Sequence, residues 1–341
     1  MRKTKKQFKR KYLKYIKYLA IIPVLLIIIL LVLRGCSNEE TETVISYNLN
    51  EGFFNVITPY QRGVAENYIP VRTGNRVDLD ATELGLMRIA TKYYDVNNHL
   101  FSPGQFLDRE AIDNIIKEVN EDKPYVSYLV EQNYFTKNNR LVGVVIGVVI
   151  NPFQGDQTLT NDEIHELITQ FSSVIISELR NNDELTNTEI VLAAFRMQPN
   201  TSLVPGTYIF EERTNSDEIN EFILVNEEYY VLTDTNLPNI DQRTFNSFAN
   251  IRADLETEFP NAVITGTGLY HNQELQDLRI DVNVGFIRPH QVIAMSNHLI
   301  TEFNRYFSRD INTVIILNND RSTMAIITIN NRTRGNIDLL I

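Results

Sequence analysis

The sequence predicts an α+β fold of two related domains with repeated strand–helix–strand units, sheets flanked by helices, after an N-terminal lipoprotein signal segment. Three observations lead there. Helical and strand-like apolar periods alternate through the chain. A strand–helix–strand order occurs twice. All the leading positive charge and the longest apolar run lie before residue 36. The chain divides into a signal segment (1–35), an acidic tether (36–50), an N-terminal α+β domain (51–210) and a C-terminal α+β domain (211–341).

The leader opens MRKTKKQFKRKYLKYIK, with Arg2, Lys3, Lys5, Lys6, Lys9, Arg10, Lys11, Lys14 and Lys17 and no acid. LAIIPVLLIIILLVL follows over residues 19–33, then Arg34, Gly35 and Cys36. A basic region, an apolar region and a small residue at the cut describe a secretory signal, and the positive charge stays cytoplasmic. The apolar run falls short of the roughly 20 residues a membrane-spanning helix needs, which favours cleavage over an uncleaved signal anchor. Cys36 is the sole cysteine, so it closes no intramolecular disulfide. Leu33-x-Gly35-Cys36 fits the bacterial lipobox, in which cleavage between Gly35 and Cys36 leaves a lipidated cysteine first in the mature chain. Arg34 departs from that pattern, where a small or aliphatic residue is usual. Two or more acyl chains, at about 0.8 kcal/mol per buried CH₂, hold a protein on a membrane stably. The expected partners are therefore the export and lipoprotein-processing machinery and the membrane itself, through lipid on Cys36. The expected location is the extracytoplasmic face of the cell membrane. SNEETETVISYNLN, residues 37–50, is polar and without helical period, as a tether would be.

Four helices are legible. Asp80-x-x-Glu83 is a capping pattern ahead of LGLMRIATKYY, with Leu84, Met87 and Tyr94 among its apolar positions. Asp108 heads REAIDNIIKEVN, where Ala111, Ile112, Ile115, Ile116 and Val119 form one stripe. Thr160-x-x-Glu163 opens a longer helix with Ile164, Leu167, Ile168, Phe171 and Ile175 on one face. Pro289 suits a first helical turn, and Val292, Met295, Leu299, Phe303 and Tyr306 follow. The strands are RLVGVVIGVVI (140–150), nearly all apolar as a strand covered on both faces would be, then EIVLAAFRM and TYIFEE. LRIDVNVGF (278–286) alternates, the mark of one wet face. TVIILNN and STMAIITIN are split by a turn at 318–321. The repeat sets LVGVVIGVVI, the helix 162–180 and EIVLAAF beside LRIDVNVGFI, the helix 290–308 and TVIILNN. The two domains join near EERTNSD, 211–217.

Removing residues 1–35 takes away ten of the 32 Lys and Arg and no acid, leaving 22 against 43 acidic residues and a formal charge of −21. That balance repels nucleic acid and anionic lipid. His99, His165, His271, His290 and His298 form no HExxH or paired-ligand spacing. No GxSxG is present. No metal, cofactor or catalytic residue is implied. GTGLY (266–270) lacks the Lys-Ser/Thr of a phosphate loop and reads as two turns or a bulge. Asp78, Asp80, Glu83 and Glu110 offer carboxylates, which helix starts favour without catalysis.

From about Arg62 to Ile209 the chain resembles the CamS-type sex-pheromone lipoproteins of Gram-positive bacteria. QRGVAENY, RVDLDATELGLMRIA, FSPGQFLD, VSYLVEQNYF, LVGVVIGVVIN and VPGTYI carry the resemblance, in the family's order. FFNVITPY, before them, departs from it. The resemblance implies an α+β fold with a repeated unit, a lipid-anchored extracytoplasmic protein, and a short hydrophobic peptide released from just before the lipidated cysteine. Here that peptide is Ile28, Ile29, Leu30, Leu31, Val32, Leu33, Arg34 and Gly35. The expected function is a pheromone-precursor lipoprotein whose mature domain is a non-catalytic binding module. The alternatives are an envelope- or ligand-binding lipoprotein (or signal-anchored surface protein) with no pheromone role, and an extracytoplasmic enzyme, which requires a pocket of convergent ionisable groups. Within the family-like motifs, Arg62, Arg76 and Arg88, with Gln132, are candidates for an anion-binding cleft or, alternatively, for structural salt bridges.

Overall fold

Two mixed sheets, the first with two parallel pairs and the second with one, organise the described residues. A computed structural model describes residues 53–71, 75–121, 124–219, 221–285, 287–307, 311–330 and 333–340. The leader, Cys36 and the tether lie outside them. In chain order the elements are β1 (Asn55–Val56), α1 (Leu79–Ala90), β2 (His99–Pro103), α2 (Arg109–Val119), β3 (Val126–Thr136), β4 (Leu141–Ile150), the small β5 (Phe153–Gln154) and β6 (Gln157–Thr158), α3 (Asn161–Arg180), β7 (Glu189–Arg196), β8 (Thr207–Thr214) and β9 (Ile223–Leu224). Then come β10 (Glu227–Val231), α4 (Pro238–Glu258), β11 (Val263–His271), β12 (Glu274–Asn283), α5 (Pro289–Tyr306), β13 (Asn312–Asn318), β14 (Thr323–Asn330) and β15 (Thr333–Leu339). The first sheet has the order β1-β2-β3-β4-β7-β8-β9 and the second β10-β11-β12-β13-β14-β15. Both belong to one compact unit. Among the described residues no helix is long and apolar enough to cross a membrane.

The two strand–helix–strand units are present. β4 and β7 pair in parallel around α3, with Gly143 opposite Glu189 and Ile150 opposite Arg196. β12 and β13 pair in parallel around α5, with Asp277 opposite Asn312. The likeness runs further than that. A strand, a helix, an antiparallel hairpin, a second helix and a second hairpin follow one another in β2-α2-β3-β4-α3-β7-β8 and again in β10-α4-β11-β12-α5-β13-β14. The stretch 211–217 carries the end of β8, and the second sheet begins at Glu227.

The helix caps follow local chemistry. Asp108 accepts from the Ala111 N–H, and Thr160 and Glu163 make a reciprocal capping box. The helix expected to open at Asp80 instead starts at Leu79, with Asp80 inside its first turn. The reason lies one turn back. The Asp78 carboxylate binds Arg76 and the Gly206 N–H, while the Asp78 carbonyl closes the turn by accepting from the Thr82 N–H. GTGLY proves to be strand, part of β11, with a register shift between Leu269 and Tyr270: a bulge without the turns.

Each half buries its stripes differently. In the first sheet Val144, Ile146, Val148 and Ile150 of β4 and Ile190 and Leu192 of β7 meet α2 (Ile112, Ile115, Ile116) and α3 (Ile164, Ile168, Ile175, Ile176). The alternate residues Val145, Val149, Val191 and Ala193 meet Leu86, Ile89 and Ala90 of α1 and a layer of tyrosines, Tyr94, Tyr128, Tyr134 and Tyr208. Burying each aliphatic side chain contributes about 1.5–3 kcal/mol. The glycines of β4 make that tyrosine layer possible. A Cβ on Gly143 would overlap Tyr94 Oη, and one on Gly147 would overlap Tyr208 Oη. In the second sheet one core, between the strands and α4 and α5, holds Phe248, Leu255, Ile264, Ile280, Val282, Met295, Leu299, Phe303, Ile315 and Ile327.

Candidate functional site

A pocket of about 70 Å³ lies in the first half, where four chain segments converge. The turn at 63–68 supplies Gly63, Ala65, Glu66, Asn67 and Tyr68. The start of α1 supplies Leu79 and Glu83, and the segment 103–107 supplies Pro103, Gly104 and Leu107. From β3 come Tyr128, Leu129, Val130 and Glu131, with Ile112 of α2 at the floor. Backbone hydrogen bonds build the turn, from Glu66 N–H to the Gly63 carbonyl, from Tyr68 N–H to that of Ala65, and from Val64 N–H to that of Gly104. Tyr68 is held by its hydroxyl on Asp113 Oδ1 at 2.6 Å and by Arg109 over its ring.

Glu131 fixes one wall. Its carboxylate accepts from three successive backbone N–H groups, those of Gln105 (2.9 Å), Phe106 (3.0 Å) and Leu107 (2.7 Å). Gly104 stands where a Cβ would meet the Glu131 side chain. Burial pushes the Glu131 carboxyl above its ordinary value, against the pull of the Leu107, Phe106 and Gln105 N–H groups and of Asn133. Glu83 is exposed as a residue, but partial desolvation of its carboxyl first, then Glu66 and Asp80 nearby, raises it as well. The Tyr128 hydroxyl, bonded to Thr82 Oγ1 at 3.1 Å, is pushed up to about 12 by burial. Behind the pocket, Gln132 donates to the Glu83 carbonyl (2.8 Å) and accepts from the Tyr134 hydroxyl (2.8 Å), locking β3 to α1.

The three candidate arginines pair with three different carboxylates. Arg62 holds Glu66 at 3.0 Å on the pocket rim. Arg76 holds Asp78 at 2.5 Å and donates to the Ser202 and Val204 carbonyls. Arg88 bridges α1 to β10 through Glu227 at 2.8 Å. Burial opposes its charge, but Glu227 outweighs burial and raises the Arg88 pKa. Only Arg62 and Gln132 touch residues of the pocket, through Glu66 and Glu83. No local pattern singles out Glu66 or Glu131. The one available sign was their place in the quoted motifs. Three of the histidines pack against rings: His99 against Tyr94, His165 against Phe210 and Phe222, and His298 against Phe259. Among the described residues no group of three or more His, Cys, Asp or Glu side chains is placed to hold a metal ion. Serine, threonine and histidine are missing from the pocket lining.

The sequence model of one family, described as CamS sex pheromone cAM373 precursor, matches residues 60–334. The chain belongs to this family. Two solved structures share the fold of this CamS chain. One is a sex pheromone precursor from Lactobacillus salivarius subsp. salivarius UCC118, 21% identical, with a TM-score of 0.74 over 87% of this chain and 98% of that one. The other is the C-terminal domain of the sex pheromone staph-cAM373 precursor from Staphylococcus aureus, 18% identical, with a TM-score of 0.66 over 77% of this chain and 96% of that one. No curated protein matches the sequence. Four of the six motifs that carry the CamS resemblance, those at 61–68, 76–90, 101–108 and 126–135, supply all of the pocket lining except Ile112. The other two contribute Gly147 and Tyr208 to the layer beneath α1.

Proposed function

We propose that this CamS protein is a surface lipoprotein precursor with two products. One is a hydrophobic peptide, IILLVLRG or a trimmed form, released from residues 28–35. The other is a mature domain anchored through lipid on Cys36 at the extracytoplasmic face of the membrane, acting as a non-catalytic binding module. The observation that carries the first product is family membership across residues 60–334 combined with a basic–apolar leader that ends in Gly35-Cys36. What supports a binding role is the pocket at the meeting point of four CamS-like segments, lined by carboxylates and apolar groups; its convergent Glu66, Glu83 and Glu131 also supply the ionisable groups that the enzyme alternative requires.

Intact mass spectrometry of the membrane-extracted protein, together with a search of the culture medium for fragments of residues 19–35, tests the reading. A chain starting at diacylated Cys36, with IILLVLRG or a trimmed form in the medium, is the expected result. A diacylated chain with no such peptide outside the cell would leave a binding lipoprotein without a pheromone product. A chain retaining residues 1–35 would remove both products and leave a signal-anchored surface protein.

A further inference from the structure

The pocket's chemistry narrows what it binds, on the reading of the mature domain as a binding module. We propose that it takes a primary ammonium on an aliphatic stem, of the lysine side-chain kind, presented by a peptide. Glu66, Glu83 and Glu131 reach the pocket from three separate elements, and no lysine, arginine or histidine lines it. Their state differs in a way that matters. Glu131 is saturated by backbone N–H groups. Glu66 is shared with Arg62, whose side chain is 75% exposed and free to swing away. Exposed Glu83 receives no hydrogen bond or ion pair on its carboxylate among the described residues, and the charges that act on it, Glu66 and Asp80, are both acids. The lining is short of positive charge.

Geometry chooses among cations. A guanidinium prefers one carboxylate met edge-on by two parallel hydrogen bonds, whereas an ammonium carries three donors around a point charge and suits acceptors arriving from different directions. Leu79, Leu107, Ile112 and Leu129 supply an apolar wall against which methylenes pack while the head stays among the carboxylates. About 70 Å³ accommodates such a head and part of its stem, too little for a folded partner. Val64 and Leu84, each 45% exposed and each next in sequence to a lining residue, offer apolar contacts to whatever flanks the stem. The net negative charge of the mature chain steers cations toward it.

The test uses the full chain in detergent micelles, with Nα-acetyl-lysine amide and its neutral norleucine counterpart as probes followed by ligand-observed NMR. Saturable binding of the lysine probe, no binding of the norleucine probe, and about tenfold weaker lysine binding in Glu83→Gln are expected. Glu66→Gln supplies a second variant with the same expected direction, and a thermal melt of each variant reports its folding. Equal binding of the two probes, or lysine binding unchanged in both variants, would overturn the ammonium assignment and leave the binding module standing. Binding of neither probe would overturn the assignment and count against the module itself.

Discussion

The half of the chain that ends with β9 and the half that begins with β10 repeat one order of strands and helices, yet their central strands meet different surroundings. β4 and β7 are buried on both faces, because α2 and α3 cover one side and α1 with its tyrosines covers the other. β12 and β13 alternate between the core beneath α4 and α5 and an open face carrying Thr265, Arg279 and Val314. One helix accounts for the difference. Among the described residues α1 has no counterpart in the second half, and where it docks it brings the pocket, the buried Gln132–Tyr134 pair and the Arg88–Glu227 bridge with it. The lesson is that a repeated scaffold acquires a site by adding a layer to one copy, leaving the topology of both unchanged.

Placing a methyl group under that added layer has the largest expected effect. Gly147→Ala drives a Cβ into Tyr208 Oη and destabilises by about 3 kcal/mol, whereas Thr265→Ala, on the open face of the second sheet, stays within about 0.5 kcal/mol. Urea unfolding measures both, and equal losses would erase the distinction between the halves. Next comes Lys92→Met. Lys92 is 38% exposed but pairs at 2.6 Å with Glu211, which is 1% exposed. Removing it leaves a buried carboxylate unpaired, at about 2 kcal/mol after water screens part of the charge. The double variant with Glu211→Gln recovers most of that loss in the same assay. Smaller again is Arg88→Met, about 1.5 kcal/mol, since the bridge to Glu227 is only partly shielded. A double-mutant cycle with Glu227→Gln isolates the coupling between the halves.

The smallest effect has a definite sign. The Glu83 carboxyl titrates above its ordinary 4.5, because partial desolvation of this exposed residue and then Glu66 and Asp80 disfavour its charge. The folded state therefore binds more protons than the unfolded state across the interval between 4.5 and the raised value, and this group's contribution to stability falls as pH rises through it. Glu83→Gln should give a slightly higher Tm at pH 7, with the gain vanishing as pH drops below that interval. A lower Tm at pH 7 would show that Glu83 already has a favourable partner.

Much of this was legible in the sequence. The stripes headed by Asp108 and Thr160, Pro289 at a helix start, the doubly covered run LVGVVIGVVI and the alternation of LRIDVNVGF each reported a local rule that tertiary packing did not override. α4 was missed. It carries a non-helical residue, Asp241, within its first turn, and its buried positions Thr244 and Ser247 mix polar groups into the stripe. β11 was hidden for a related reason: glycines and threonines in VITGTGLYH resemble turn chemistry until Gly266 is seen to leave room for Leu232 and Phe248. The pocket was legible only as a set of motifs. Glu66, Glu83 and Glu131 lie 17 and 48 residues apart in sequence, and no local period joins them. Asp78, which looked like a helix-start acid, is committed to Arg76 and Gly206, contacts made only by folding.

The account turns on α1 making the first half the doubly covered one. Hydrogen exchange followed by mass spectrometry on the purified full chain reads this directly, strand by strand. Amides of β4 and β7 should exchange only through global unfolding, while those of β12 and β13 exchange faster, through an opening confined to the second half. Equal protection in the two pairs of strands, or slower exchange in β12 and β13, would contradict it.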